Sequence, residues 1–155
     1  MKRVLVLLLT AITAFAFAGC TEAEPEAAAP SDEGVLGNYE VAIKDCEMVK
    51  DYDGSDTIAI SIGFTNNSDD AASFDTVMMY DVFQDGVELE TTSVYTDEES
   101  FECMDDDASR QIKPGKTIEV VITKKLENTT SPVEVEVEEF LGNDDKIVKT
   151  FDIEK

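Results

Sequence analysis

The sequence predicts an all-β protein whose main body is an antiparallel β-sandwich. Three observations support this prediction: apolar residues alternate with polar ones in several segments, turn-forming residues separate those segments, and no long stretch repeats with the helical period. The pattern occupies residues 38–155, a length of about 120 residues that is enough to bury one hydrophobic core. We therefore expect one domain over 38–155, built as a sandwich of about seven strands.

The alternation is clearest in the segments TIAISIGF, KTIEVVITKKLE and PVEVEVEEF. Because successive side chains of a strand point to opposite faces, each segment is predicted to bury one face. In the third segment the positions between the valines are glutamates, which predicts that its other face lies in water. The apolar positions are Ile58, Ile60, Ile62, Phe64, Ile118, Val120, Ile122, Val133, Val135 and Val137.

Two local features refine the strand pattern. The first strand changes phase midway, because Val41 and Ile43 share one parity whereas Cys46 and Met48 share the other. This change predicts a β-bulge near 44–45. Further along, the dipeptide at 85–86 is Asp-Gly and lies between two apolar pairs, which predicts a type I′ hairpin turn.

Residues 1–19 have the layout of an export signal. Lys2 and Arg3 precede the uncharged apolar stretch 4–18. As a helix rising ~1.5 Å per residue, that stretch covers only ~23 Å, whereas a hydrocarbon core is ~30 Å thick. We therefore expect export rather than a permanent membrane span.

Two cleavage sites compete at the end of this leader. The pattern Ala-Phe-Ala at 16–18 would free a soluble protein that begins at Gly19. Alternatively, Phe-Ala-Gly-Cys at 17–20 resembles the lipobox of bacterial lipoproteins, although Phe17 departs from the usual aliphatic first residue. The second site is favoured, since a thiol is followed at once by a polar, alanine-rich tract. The resemblance implies that residues 1–19 are a lipoprotein signal peptide and that Cys20 carries the lipid.

Charge and composition predict how the mature chain is attached to the membrane. Removing residues 1–19 takes away Lys2 and Arg3, so the formal net charge changes from −23 to −25. An anionic membrane surface repels such a chain, whereas acyl chains contribute ~0.8 kcal/mol per buried CH₂. Residues 20–37 contain two prolines, many alanines and several acids without apolar periodicity, which predicts an acidic Ala/Pro-rich disordered tether.

Three further segments carry a family resemblance. TNNSDDAASF, VFQDGVELE and IKPGKTIEVVITKKLE…SPVEVEVEEF resemble domain-of-unknown-function family 5067, the immunoglobulin-like domains of bacterial lipoproteins, over roughly 37–140. The resemblance implies an immunoglobulin-like β-sandwich exposed outside the cytoplasm. It implies no established activity and no defined site residues.

Several function classes conflict with the composition. The chain contains no histidine, which removes the usual general base and the commonest zinc ligand. A strongly acidic domain without a basic patch repels nucleic acid. Carboxylates alone can hydrolyse glycosides, but such an enzyme needs one buried carboxyl facing another across a cleft, and most acids here fall on predicted wet faces or in turns. We expect no enzyme and no cofactor; the alternative is a small extracytoplasmic hydrolase that uses paired carboxylates.

Cysteines and acids supply the remaining candidate sites. Once Cys20 carries the lipid, Cys46 and Cys103 are the only cysteine pair, in a compartment where disulfides persist. Either they form a bridge or they remain two unpaired thiols. The acidic turn DYDGSD at 51–56 lacks the spacing of a known calcium loop, since its glycine comes two positions early.

A second acidic segment, at 97–107, is denser. Full ionisation of so many neighbouring carboxyls is tolerable only in water, so we expect an exposed loop that holds any cation weakly. The acids are Asp97, Glu98, Glu99, Glu102, Asp105, Asp106 and Asp107.

Together these features predict a lipoprotein on the extracytoplasmic face of a bacterial cell membrane, with a non-enzymatic module that binds or shields at the envelope. Its expected partners are the membrane, through Cys20, and an envelope or extracellular protein whose identity the sequence does not give.

Overall fold

The structure, a computed structural model, describes residues 31–94 and 107–153. Within these ranges the chain forms eight β-strands and one short helix, so the prediction of an all-β protein is confirmed. In chain order the elements are β1 (Glu33–Leu36), β2 (Tyr39–Lys50), β3 (Asp56–Asn66), α1 (Phe74–Val77), β4 (Met78–Gln84), β5 (Val87–Glu88), β6 (Lys116–Lys125), β7 (Val133–Glu139) and β8 (Lys146–Phe151).

The strands form two four-stranded antiparallel sheets. The first sheet has the order β1-β2-β3-β6 and the second has the order β5-β4-β7-β8. In immunoglobulin terms, β2, β3 and β6 take the places of strands A, B and E, while β4, β7 and β8 take those of C, F and G. The immunoglobulin-like sandwich is therefore confirmed. The short strands β1 and β5 bring the count to eight, where about seven were expected.

The core lies between the inner faces of the two sheets, as the alternation predicts. Nine of the ten predicted apolar positions are at most 4% exposed, and Ile118 is partly buried against the same cluster. In β7 the intervening glutamates are partly or fully exposed, so that strand has one buried and one wet face. In β3 the alternate face is also covered, since Thr57 and Ala59 are buried. The central strands therefore bury more surface than their periodicity alone indicates.

Segments that change sheets close both open sides of the sandwich. On one side the N-terminal segment bonds to both sheets, because Asp32 O accepts from Ile43 N at 2.8 Å and Ser31 O accepts from Val148 N at 3.2 Å. On the other side residues 87–92 run from β4 to β6. Leu89 N donates to β4, and Glu90 O then accepts from β6. Each crossing segment links the sheets without a covalent bridge.

The predicted bulge is confirmed by a register shift in β2 between Ile43 and Cys46. A bulge releases backbone groups from the ladder, and Lys149 of β8 satisfies them. Its Nζ donates to the carbonyl oxygen of Ile43 at 3.0 Å and also to that of Lys44. The same ammonium lies 3.4 Å from a carboxylate oxygen of Asp32. The bulge is thus held by the opposite sheet.

A buried side-chain amide closes each end of the sandwich. At the hairpin end, Gln84 is 1% exposed; its Nε2 donates to the carbonyls of Asn128 and Ser131, and its Oε1 accepts from two backbone amides. At the α1 end, Asn66 is fully buried and bonds in the same way to residues 68, 70 and 112. Both side chains use their full hydrogen-bonding capacity on neighbouring loops.

The ordered sandwich begins before residue 38. Residues 33–36 form β1, although their composition placed them in the tether, and Leu36 is only 2% exposed. Gly37 allows the sharp turn into β2 because its φ is +58°. A four-residue strand is too short to show a period, which explains why the sequence pattern missed it. The hairpin turn was predicted correctly, since Asp85 and Gly86 both have positive φ, at 51° and 77°.

Truncation of a core valine should reveal how much the sandwich depends on this packing. Val135 is fully buried, so Val135→Ala should lower the free energy of unfolding by about 2–3 kcal/mol through lost burial and a residual cavity. The matched control is Val35→Ala, at a position that is 66% exposed, with an expected change under about 0.5 kcal/mol. Urea denaturation measures both, and equal losses would contradict the assigned core.

Replacement of the buried amide at the hairpin end tests its role. Gln84→Leu keeps the apolar stem but leaves two backbone amides and two carbonyls without a partner, so the free energy of unfolding should fall by about 3 kcal/mol. Gln111→Leu is the matched control on an exposed glutamine and should change it by less than about 0.5 kcal/mol. A Gln84→Leu protein as stable as wild type would show that the amide does not hold these loops.

Candidate functional site

Most sequence-predicted site residues lie outside the described ranges. These are Cys20, Cys103 and the acids at 97, 98, 99, 102, 105 and 106. Their predicted roles, as lipid attachment site, disulfide partner and weak cation loop, therefore stay predictions. Asp107 is described, and its carboxylate forms an ion pair with Arg110. The carboxylate of Asp107 is thus paired within its own turn.

Cys46 lies on β2 just after the bulge and is half-buried against the core. Burial raises the pKa of its thiol, Asp45 raises it further, and Lys149 partly offsets both. A thiol with a raised pKa is a poor nucleophile at neutral pH. Cys46 is therefore suited to packing rather than to reaction.

Only one cysteine of the predicted Cys46–Cys103 bridge lies in the described part of the chain. Cys46 is unbridged in the structure and lies beside β8, on the side that the N-terminal segment closes. Of the chain on either side of Cys103, Thr92 bonds to β6, and Ala108 O accepts from the backbone N of Asp75 at 3.1 Å. Cys103 itself lies outside the described residues. The bridge stays a prediction.

The acidic turn 51–56 is built around one buried carboxylate. Asp51 is 7% exposed, and its Oδ1 accepts from the backbone amides of Asp53 at 2.9 Å and Ser55 at 2.8 Å. Its Oδ2 accepts from the hydroxyl of Thr92 at 3.2 Å. Burial by itself would raise the pKa of Asp51, but these hydrogen bonds, with the charge of Lys125, lower it. The carboxylate thus holds the turn together from within.

A polar cavity of about 300 Å³ opens beside this turn. Its walls come from the 51–53 turn and from residues 90–93, with Lys125 at one side. The last acid of the turn, Asp56, pairs with Lys50 at 2.7 Å. Among the described residues, no three His, Cys, Asp or Glu side chains form a group that could hold a metal ion.

A second concave surface lies on the outer face of the second sheet. Here a shallow groove of about 420 Å³ runs beside the β4–β5 hairpin, with Phe83 and Pro132 among its lining residues and acids around them. Further along the face, Lys146 lies 2.7 Å from Glu136 and 3.4 Å from Glu138. The hydrogen bond to Glu136 raises the pKa of Lys146, partly opposed by burial.

The described carboxylates do not converge on a reacting centre. Of those in 31–94 and 107–153, Asp51 alone is buried, and the others lie on partly or fully exposed surface. Nor does the described part of the chain include a helix of the length and apolarity that a membrane crossing requires. The described residues form a packed sandwich whose charged outer faces are open to solvent.

The family model for DUF5067, a domain of unknown function, matches residues 20–139. The chain belongs to this family. Among curated proteins, none matches the sequence significantly.

Solved structures share the fold of this DUF5067 chain. A candidate lipoprotein from Staphylococcus aureus subsp. aureus NCTC 8325 superposes with a TM-score of 0.59 at 19% identity, covering 79% of this chain and 92% of that one. A protein from Enterococcus faecalis gives 0.57 at 21% identity, with coverages of 79% and 90%. A β-sandwich protein from Clostridium difficile 630 gives 0.54 at 16% identity, with coverages of 79% and 91%. At these identities the similarity shows the fold alone.

Sequence reasoning did not predict the groove of this DUF5067 domain. The alternation in β7 predicts a wet face with glutamates, but it does not show that Phe83 of β4 lies beside Glu134. That pairing depends on strand register across the sheet. The hairpin signal at 85–86 was the available clue, because it fixes which residues of β4 and β5 face each other.

The lowered pKa of Asp51 predicts a pH-dependent contribution to stability. A carboxyl with a depressed pKa in the folded state stabilises fully above its unfolded pKa of about 3.9 and loses that contribution as pH falls through the folded value. Asp51→Asn should therefore unfold at a lower temperature than wild type at pH 7, and the gap should narrow below about pH 4. Thermal unfolding at pH 7, 4 and 2.5 measures this gap. Asp69→Asn, an exposed acid, controls for the loss of one charge, and a gap that stays constant with pH would contradict the assignment.

Proposed function

We propose that this chain is a non-enzymatic lipoprotein module that binds or shields at the extracytoplasmic face of a bacterial membrane. Export follows from the charged start and short apolar stretch of residues 1–19, and lipid attachment at Cys20 follows from the Phe-Ala-Gly-Cys sequence. Membership of DUF5067 and a fold shared with a candidate lipoprotein of Staphylococcus aureus support the proposal. The predicted partners are the membrane, through the lipid, and an envelope or extracellular protein.

The lowered pKa of the buried Asp51 is the observation that supports a non-enzymatic function. A glycoside hydrolase that uses two carboxyls needs a general acid whose pKa is raised, opposite a second carboxyl across a cleft. Asp51 is the one buried acid among the described residues, and its pKa is lowered because three donors bind the ionised form. It is therefore the opposite of a general acid. This observation supports a binding module over the hydrolase alternative.

The predicted tether joins the domain at a fixed point, at residues 31–32. Ser31 and Asp32 are bonded to both sheets, and Lys149 pairs with the carboxylate of Asp32. From Cys20 to Ser31 an extended chain reaches at most ~40 Å. The acidic domain is repelled by an anionic membrane surface within about 8–10 Å. We expect the domain to stand off the membrane while remaining within reach of envelope partners.

The lipid attachment is tested by Cys20→Ser. Two acyl chains give stable membrane attachment where charge alone repels, so the variant should leave the membrane fraction and appear in the soluble fraction. Cys46→Ser is the matched control and should remain with the membrane. Mass spectrometry of the N-terminal peptide should find a diacylglyceryl group on wild-type Cys20. An unmodified N-terminus at Gly19, or a Cys20→Ser protein that stays in the membrane fraction, would contradict the proposal.

A further inference from the structure

We propose that the outer face of the second sheet docks a basic, extended segment of a partner protein. The inference rests on the proposed function, since it names the chemistry of the partner that such a module binds. It is based on three observations about this face: its charge, its groove and the spacing of its side chains.

Strand register places two columns of side chains on this face. In β7 the valines point inward, so Glu134, Glu136 and Glu138 point outward. Each has a direct neighbour on β4, at Phe83, Asp81 and Met79 respectively. The face is therefore acidic along one strand and mixed acidic and apolar along the next. No described element covers it.

The charge on this face is only partly balanced by its own residues. Lys146 pairs with Glu136 and Glu138, at the end away from the hairpin. The carboxylate of Glu134, towards the hairpin, forms no hydrogen bond or ion pair with any described residue. Glu88 of β5 lies beside Phe83 and is exposed. Two carboxylates thus flank one aromatic ring, and a cationic group would complement them.

The lining of the groove suits a long basic side chain. Phe83 and Pro132 supply apolar contact, while Asp85, Glu134 and Glu136 supply negative charge around it, within about 420 Å³. Arginine and lysine pack an apolar stem against such surface and keep the charged head among acids. An arginine head can also stack on the face of Phe83. The combination favours a basic side chain over a small cation.

Side-chain spacing points to an extended partner. Alternate residues on a strand are about 6.8 Å apart, which is also the spacing of alternate residues in an extended segment laid along it. A segment with a basic residue at every second position therefore matches the outward glutamates of β7 in register. Lys146 already shows that an ammonium group can bridge two of these glutamates.

The outer face of the first sheet lacks these properties, which makes it an internal control. Lys44 reaches across β3 to pair with Glu119, and its stem lies over Gly63, where a Cβ would approach Lys44 Cε to 2.9 Å. Thr65 and Thr117 bond to each other beside this pair at 2.8 Å. One pair of opposite charges is matched across the strands here, and small residues stand where the second sheet has its aromatic groove.

Binding of defined peptides to the full chain in mild detergent tests the inference. One probe is a peptide of about twelve residues that alternates arginine and threonine; the second has the same composition with the arginines in one block. We expect the alternating peptide to bind more tightly, and the double variant Glu88→Lys with Glu134→Lys to weaken it about tenfold or more. The matched control, Glu40→Lys with Glu47→Lys on the first sheet, makes the same change in net charge and should weaken it less than about threefold.

Isothermal titration calorimetry at 150 mM salt measures each affinity, and circular dichroism checks that the variants fold. If a lysine variant does not fold, Glu88→Gln with Glu134→Gln replaces it. Equal weakening by both double variants would show that net charge alone attracts the peptide and would overturn the inference. Equal binding of the two peptides, no binding, or tighter binding of a chitosan hexasaccharide would also overturn it. Because purified protein needs no membrane, these results are separate from the Cys20 test of the proposed function.

Discussion

The whole architecture depends on one constraint: the apolar columns of β3 and β7 must face each other and exclude water. Ile58, Ile60 and Ile62 on one strand and the three valines on the other are all fully buried, and each strand is central in its sheet. Facing the columns inward forces the alternate residues of β7 outward, so its glutamates form a wet face. At the ends and sides of the sandwich, backbone groups must then be satisfied by side-chain hydrogen bonds. Gln84 and Asn66 supply these bonds at the two ends, and Lys149 supplies them at one side. The polar groups that remain unpaired lie outside, where only a partner or water can meet them.

Much of this fold could be predicted because its strongest signals are local. The columns, the bulge near Lys44 and the type I′ turn all follow from alternation, phase and dipeptide chemistry within a few residues. The polar closures could not be predicted, since Gln84 bonds to Asn128, 44 positions away, and Asn66 bonds to Ile112, 46 positions away. The first strand was missed because four residues show no period. Of the candidate sites, Cys20 and the dense acidic segment rest on sequence alone, whereas the groove beside Phe83 emerges only from strand register.

The two outer faces differ in a way that bears on function. On the first sheet, Lys44 and Glu119 neutralise each other over a glycine, and small residues lie beside this pair. On the second sheet, acids outnumber the single lysine that pairs with them, and the partly exposed ring of Phe83 lies among them. The chain has a strongly negative formal charge, and such a charge favours solubility and repels anionic surfaces. The same charge cannot select a partner by itself, because it acts in all directions. Selection requires a local arrangement, and the second sheet provides one.

We propose that the domain acts through the outer face of its second sheet while it is anchored at the envelope. Carboxyl footprinting tests it directly: intact cells and the purified protein are treated with a carbodiimide and an amine, and the labelling of each acid is compared by mass spectrometry. We expect Glu88 and Glu134 to be labelled at least about threefold less on cells, and Glu40 and Glu47 of the first sheet to be labelled equally in both samples. Equal labelling of all four acids, or protection confined to the first sheet, would contradict it.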